Sequence, residues 1–184
     1  PVLADWQATR PGAVAEKAPE ALLMDWFASA LVLSARFAFK PALGQSYYLY
    51  SREGDWQLSL VAPDEWGDRA PGACLGRCEL RGDMTWAIDP DPQLEESPEL
   101  KAELAALIEG FTDSLAGEAS LAEQLPAYRR DLPYYQRMLA TALGTSLRQS
   151  MGRDLQLDAP ARVLLEAAGE SFAGRLLGRD PSAG

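Results

Sequence analysis

The sequence predicts an α+β fold: a small antiparallel β-meander of three to four strands, packed on an N-terminal helix and followed by a helical C-terminal half. Two observations carry this. Strand-like alternation and tight-turn residues are confined to residues 45–90, whereas apolar residues on either side recur at spacings of three and four. The segment from Lys40 to Pro90 also holds three of the five Trp, three of the six Tyr and both Cys, the bulky side chains that a sheet face needs. At 184 residues, 47% hydrophobic and 24% charged, the chain fits one domain, 1–184, with its own core.

Residues 1–17 are mixed and punctuated by Pro and Gly, an arm on which Trp6 is the one sticky residue. A helix over 18–39 follows: Pro19 suits the first helical position, and Leu22, Leu23, Trp26, Phe27, Ala30, Leu31 and Phe37 share a face. Pro41 ends it, because the residue before proline is pushed out of the α region. Val32 and Leu33 widen the apolar stripe, so this helix is expected to be buried on more than one side or to lie in a dimer interface.

Ser46 to Arg52 reads as an aromatic strand, and Glu53, Gly54 and Asp55 turn it into a second strand, Trp56 to Ala62. Pro63 to Gly67 reads as a single helical turn, Leu75 to Leu80 as a third strand, and Met84 to Ile88 as a fourth beyond the Arg81, Gly82, Asp83 turn. Asp89 to Pro92 can continue neither a helix nor a central strand and marks a boundary.

The remainder, 97–178, is helical in pattern. Ser97 and Pro98 cap a helix with Leu100, Leu104, Leu107, Ile108, Phe111 and Leu115 inward. Ser120 to Leu132 is a short stretch interrupted by proline, and Pro133 opens a helix with Tyr134, Tyr135, Met138, Leu139, Ala142, Leu143 and Leu147 inward. Asp158 is the expected cap of the last helix, with Val163, Leu164, Phe172 and Leu176 on its stripe and Gly178 at its end. The pattern is compatible both with helices that wrap the sheet and with a separate bundle.

In order along the chain stand Lys40, Pro41 and Gly44, the run Tyr47 to Tyr50, Arg52 and Glu53, Leu58 and Ser59, Pro63, Glu65, Trp66 and Gly67, Leu75 and Gly76, then Asp83, Thr85 and Trp86. This ordered set resembles a family of unknown function shared by bacteria and eukaryotes, which includes an uncharacterised human protein. The resemblance spans about Lys40 to Pro90 and, more loosely, the preceding helix. It departs from the family pattern at Ala62, where a serine would cap the Trp66 turn. It implies no activity, because the family has none assigned.

Composition narrows the chemistry. There is no histidine, which removes the commonest general base and metal ligand at neutral pH. A formal net charge of −10 repels phosphate backbones and anionic lipid, so no nucleic-acid or membrane partner is expected. Arg129, Arg130 and Arg137 form the densest basic cluster, but Asp131 is interleaved with them and a solvated face is the expectation. The apolar run Trp26 to Ala35 is bounded by Asp25 and Arg36, too short for a span of about 20 residues. Pro1 to Pro11 lacks a basic stretch followed by an apolar one, so a cytoplasmic setting is expected. Cys74 and Cys78 read as structural or incidental thiols, and no metal site or cofactor is expected.

Strand alternation divides Tyr47, Leu49 and Ser51 from Tyr48, Tyr50 and Arg52. Leu49, Trp56, Leu58, Leu60 and Trp86 are assigned to the layer against the first helix, and the carboxylates near the turns to turn chemistry. Tyr48, Tyr50, Arg52, Trp66, Arg77 and Asp83 are left as candidate ligand- or partner-binding residues, with no catalytic residue assigned. The expected function is a protein-interaction or self-associating module. The alternative is a small-molecule-binding protein or atypical enzyme with a pocket between sheet and helices.

Overall fold

The computed structural model describes residues 2–127, 129–152, 155–169, 172–174 and 176–177. The arm begins with a short helix, α1 (Val2–Ala8), and α2 follows at Pro19–Ser34. The sheet comprises β1 (Ser46–Arg52), β2 (Asp55–Ser59), β3 (Ala73–Leu80) and β4 (Trp86–Pro90). Between β2 and β3 lie the one-turn helix α3 (Pro63–Trp66) and a 3-10 turn, Gly67–Arg69. The helices α4 (Pro92–Glu96), α5 (Pro98–Leu115), α6 (Leu121–Gln124), α7 (Tyr134–Ser150) and α8 (Arg162–Ala168) complete the described elements of this α+β fold.

The four strands are antiparallel in the order β2-β1-β3-β4. A plain meander would place β3 beside β2, and the structure corrects that expectation. The outer edge of β2 is already occupied: the Arg36 amide donates to the Trp56 carbonyl at 2.9 Å, and the Leu58 amide donates to the Arg36 carbonyl at 3.0 Å. The chain therefore crosses through α3 and pairs β3 with the free edge of β1. The same pairing shortens the first long helix. Ala35 is extended at φ −74°, ψ 157°, so residues 35–39 run beside the edge strand instead of continuing the helix to Phe39. Covering an edge in this way is a standard defence against intermolecular strand pairing.

The β1–β2 hairpin turns on Glu53 and Gly54, both at positive φ (52° and 80°), as a two-residue turn matched to strand twist requires. β2 stops at Ser59 because its hydroxyl accepts from the Val61 amide at 3.0 Å and bends the chain. Leu60 is consequently 52% exposed and does not join the core layer, whereas Leu49, Trp56, Leu58 and Trp86 are all buried. β4 begins two residues later than the alternation suggests, because Met84 takes a left-handed turn conformation, φ 66°, with its side chain still buried.

α2 is the centre of the fold. It packs against β4 on one side and α7 and α8 on another, which accounts for its wide apolar stripe within the chain itself. One continuous apolar cluster runs from Tyr47, Leu49 and Trp86 of the sheet through Trp26 and Phe27 to Leu143 and Leu164 of the C-terminal helices. The helices thus share the core of the sheet and do not form a bundle of their own. Phe27, Phe111 and Phe172 stack edge-on or tilted at the junction, with ring centres 5.5 to 6.5 Å apart.

Ser97 and Pro98 start α5 as expected, the Ser97 hydroxyl accepting from the Leu100 amide. The last helix differs. α8 starts at Arg162, not at Asp158, because the backbone of 157–161 is engaged with 119–122: the amides of Leu121, Ala122 and Ala161 donate to Ala159, Leu157 and Ala119 at 2.9 Å each. Gly169, at φ 79°, ends it; Gly178 lies outside the described residues.

Candidate functional site

Strand register brings four of the six candidate residues to the outer face of the sheet. Tyr48 lies opposite Arg77 on β3 and Ser59 on β2, and Tyr50 and Arg52 follow on the same side. Little of this face is free. Tyr50 is 1% exposed, its hydroxyl donates to the Val61 carbonyl at 2.8 Å, and burial pushes its pKa well above the ordinary phenol range. Arg52 donates to the Ala70 carbonyl at 2.9 Å, and Arg77 pairs with Asp89 at 3.2 Å on the surface. Tyr48 is half-buried.

Asp83 is not brought to this group. Its carboxylate receives Lys17 Nζ at 2.6 Å and the Thr85 amide and hydroxyl at 3.0 and 2.6 Å. Lys17 also donates to Asp25 at 2.6 Å, and Arg81 donates to the second oxygen of Asp25 at 3.0 Å. Burial alone would raise the pKa of Asp83, but the hydrogen bonds from Lys17 and Thr85 outweigh it and hold the carboxyl below its usual range. Burial likewise opposes the charge on Lys17, and its two carboxylate partners raise its pKa above the usual lysine value. This cluster ties the arm to the β3–β4 turn.

Trp66 lies elsewhere again, in the wall of an open groove of about 770 Å³. The groove runs between residues 33–39, the end of β2 and the start of α7, and its apolar lining includes Leu33, Phe37, Phe39, Leu60 and Pro133. The indole Nε1 of Trp66 is buried with no hydrogen-bond partner among the described residues. Phe39 stacks flat on Tyr47 at 5.3 Å, and the Phe37 carbonyl accepts from Gln136 Nε2 at 3.2 Å, so the groove wall is anchored to both the sheet and α7. Sequence reasoning placed Phe37 and Phe39 in a helix and Leu60 in the core. Their signal was the two-residue spacing of Phe37 and Phe39, which suits an extended segment and not a helix face.

The two cysteines are free and buried, and burial pushes the Cys74 thiol up to about 12 and Cys78 higher still, so neither is a ready nucleophile. No helix among the described residues is long and apolar enough to cross a membrane. A family model described as a protein of unknown function (DUF2452) matches residues 16–107. The chain belongs to the DUF2452 family. The matched span takes in Lys17, α2, the whole sheet, Asp83 and the first half of α5, and with them one wall of the groove. The opposite wall, Leu132, Pro133 and Gln136, lies beyond the part that DUF2452 defines, as does α1. No solved structure matches the chain.

Proposed function

We propose that this chain is a protein-interaction module whose partner-binding element is the groove beside Trp66. The observation that carries the reading is a buried, unpartnered indole N–H in the wall of an open, mostly apolar groove. Leaving such a donor unmade costs about 1–3 kcal/mol, and because the nitrogen is closed off in the free protein, a partner's backbone carbonyl would recover that cost only as the Trp66 ring turns outward on docking. The occupant is an apolar peptide segment, its side chains seated against Phe37, Phe39 and Leu60. The charge of −10 disfavours nucleic acid in this role, and two free buried thiols support a reducing, cytoplasmic setting.

The test compares wild type with Trp66→Phe, which removes the N–H together with part of the ring, and Leu60→Arg, which charges the apolar lining. Each is used to capture partners from lysate of the native cell, with binding of any captured protein then measured in purified form. The reading requires both variants to lose affinity by about tenfold or more while melting as wild type does. Equal affinity for all three proteins sinks it.

A second reading, small-molecule binding, is favoured by volume: about 770 Å³ lies inside the roughly 300–1,000 Å³ range of ligand sites. Intact-mass measurement of the protein purified under native conditions from its own cell separates the two, since a bound molecule adds a discrete mass that Leu60→Arg abolishes.

A further inference from the structure

α1 is a helix that the fold leaves unburied. None of its seven residues is buried, and Val2, Leu3 and Trp6 are 59%, 80% and 43% exposed. Isolated helices shorter than about 12 residues are marginal in water, so α1 owes its helicity to what it rests against. Its attachments are few. The Asp5 carboxylate receives Lys40 Nζ at 2.5 Å and the Tyr134 hydroxyl at 3.2 Å, and Trp6 overhangs Met138 and Ala142 of α7 across a cavity of about 260 Å³. A second cavity of about 460 Å³ opens between Ala8 and Thr9 on one side and Leu80, Met84 and Leu139 on the other. Both openings face solvent and no residue of α1 is buried, so α1 rests on the surface of an apolar bed through few contacts.

The firm attachments of the arm begin only beyond Pro11. The Gly12 amide donates to the Gly82 carbonyl at 2.7 Å, the Lys17 amide donates to Ser150 at 2.9 Å, and the Lys17 ammonium holds Asp25 and Asp83. Before Pro11 the arm is held to the body through the Asp5 side chain and the edge of Trp6, whereas from Gly12 on it is held through its backbone. At the edge of the bed stands Lys40, and Asp5 is the carboxylate it meets among the described residues. The bed is thus complementary to a short helix carrying an acidic residue next to an aromatic one.

We propose that α1 is a detachable strap, and that its seat is taken in exchange by the α1 of a second copy, giving a reciprocally swapped dimer. Every contact of the strap is reproduced when the donor is another chain, so the exchange sacrifices no interaction and is opposed only by the entropy of association, which concentration offsets. The Asp5–Lys40 ion pair selects this occupant by charge, and Trp6 fills the bed. The inference stands apart from the Trp66 groove, which is built from other residues.

The test mixes unlabelled and ¹⁵N-labelled full-length chains at rising concentration and treats them with a carbodiimide. That reagent converts an ion pair in contact into an amide, and digestion with mass spectrometry then reads the Asp5–Lys40 cross-link. Exchange predicts cross-linked peptides carrying one label from each chain, rising with concentration toward their statistical share. Asp5→Asn should abolish the cross-link, and Trp66→Phe should leave it intact. Cross-links within a single label at every concentration, or no Asp5–Lys40 cross-link at all, overturn the proposal.

Discussion

Asp83→Asn isolates the charge of one carboxylate while keeping its shape. The amide oxygen still accepts from the Thr85 amide and hydroxyl, so the turn stays closed; what is lost is the ionic partner of Lys17, now at 2.6 Å. The side chains of Lys17, Asp25 and Asp83 are 17%, 11% and 16% exposed, so screening by solvent is limited. Truncating a fully buried pair costs about 3–5 kcal/mol, but Lys17 keeps Asp25 and the lost bond is a single charged one, which sets the expected loss at about 2 kcal/mol. For a chain of this size that is a fall in Tm of about 4–8 °C. Urea melts of both proteins from pH 7 to pH 3 provide the assay. The folded pKa of Asp83 is depressed, so its contribution is present above the unfolded carboxylate value, about 4, and fades as pH falls through the lower folded value. The gap between wild type and variant should therefore close at acid pH. A gap below about 0.5 kcal/mol at pH 7, or one that is unchanged at pH 3, would refute the assignment of Asp83 to the arm clamp.

Three further outcomes are expected. Trp86→Ala should lose roughly 3–5 kcal/mol in the same melts, since the ring is 1% exposed and edge-packed on Tyr47 at 5.7 Å; an unchanged midpoint would remove it from the core. Gly144→Ala should destabilise by about 1 kcal/mol or more despite the usual helix gain, because a Cβ there would stand 2.0 Å from the Pro126 carbonyl oxygen, on backbone that cannot swing aside. Cys74 and Cys78 should resist a thiol reagent at pH 8 in the folded protein and react once urea unfolds it. Because burial raises both thiol pKa values, their contribution to stability is complete below the unfolded value of about 8.5 and declines as pH rises past it, which melts at pH 7 and 10 check.

Local chemistry was legible where the partner of each residue lies nearby in sequence. β1 spans Ser46–Arg52 as read, and the Ser97 cap is where the pattern places it, because turns and caps are decided within a few residues. What failed was decided by distant backbone. Arg36 leaves the helix for an edge strand some 20 residues on, and 157–161 is diverted from the last helix by 119–122. The candidate site divides the same way. Alternation set Tyr48, Tyr50 and Arg52 on one side of β1, and the register with β3 adds Arg77 to that side. It could not reveal that Asp83 answers Lys17, 66 residues earlier, or that Trp66 lines one groove with Phe37 and Pro133 from two other parts of the chain.

Among the described residues two indole N–H groups are buried without a partner, those of Trp66 and Trp86, and their surroundings give them opposite meanings. Trp86 is enclosed at 1% exposure against Tyr47, so the cost of its unmade bond is fixed in the folded state and is carried by the packing of the ring. Trp66 is only half-buried and stands in the wall of an open groove, where a turn of its ring would bring the enclosed N–H to an incoming acceptor. Trp66→Phe should then leave thermal stability close to that of wild type while weakening partner binding, since relief of the unsatisfied donor offsets the ring atoms lost from a half-buried side chain. A loss of more than about 1 kcal/mol of stability in that variant would mean that packing of the ring outweighs the unmet donor, and the N–H would no longer support the docking reading.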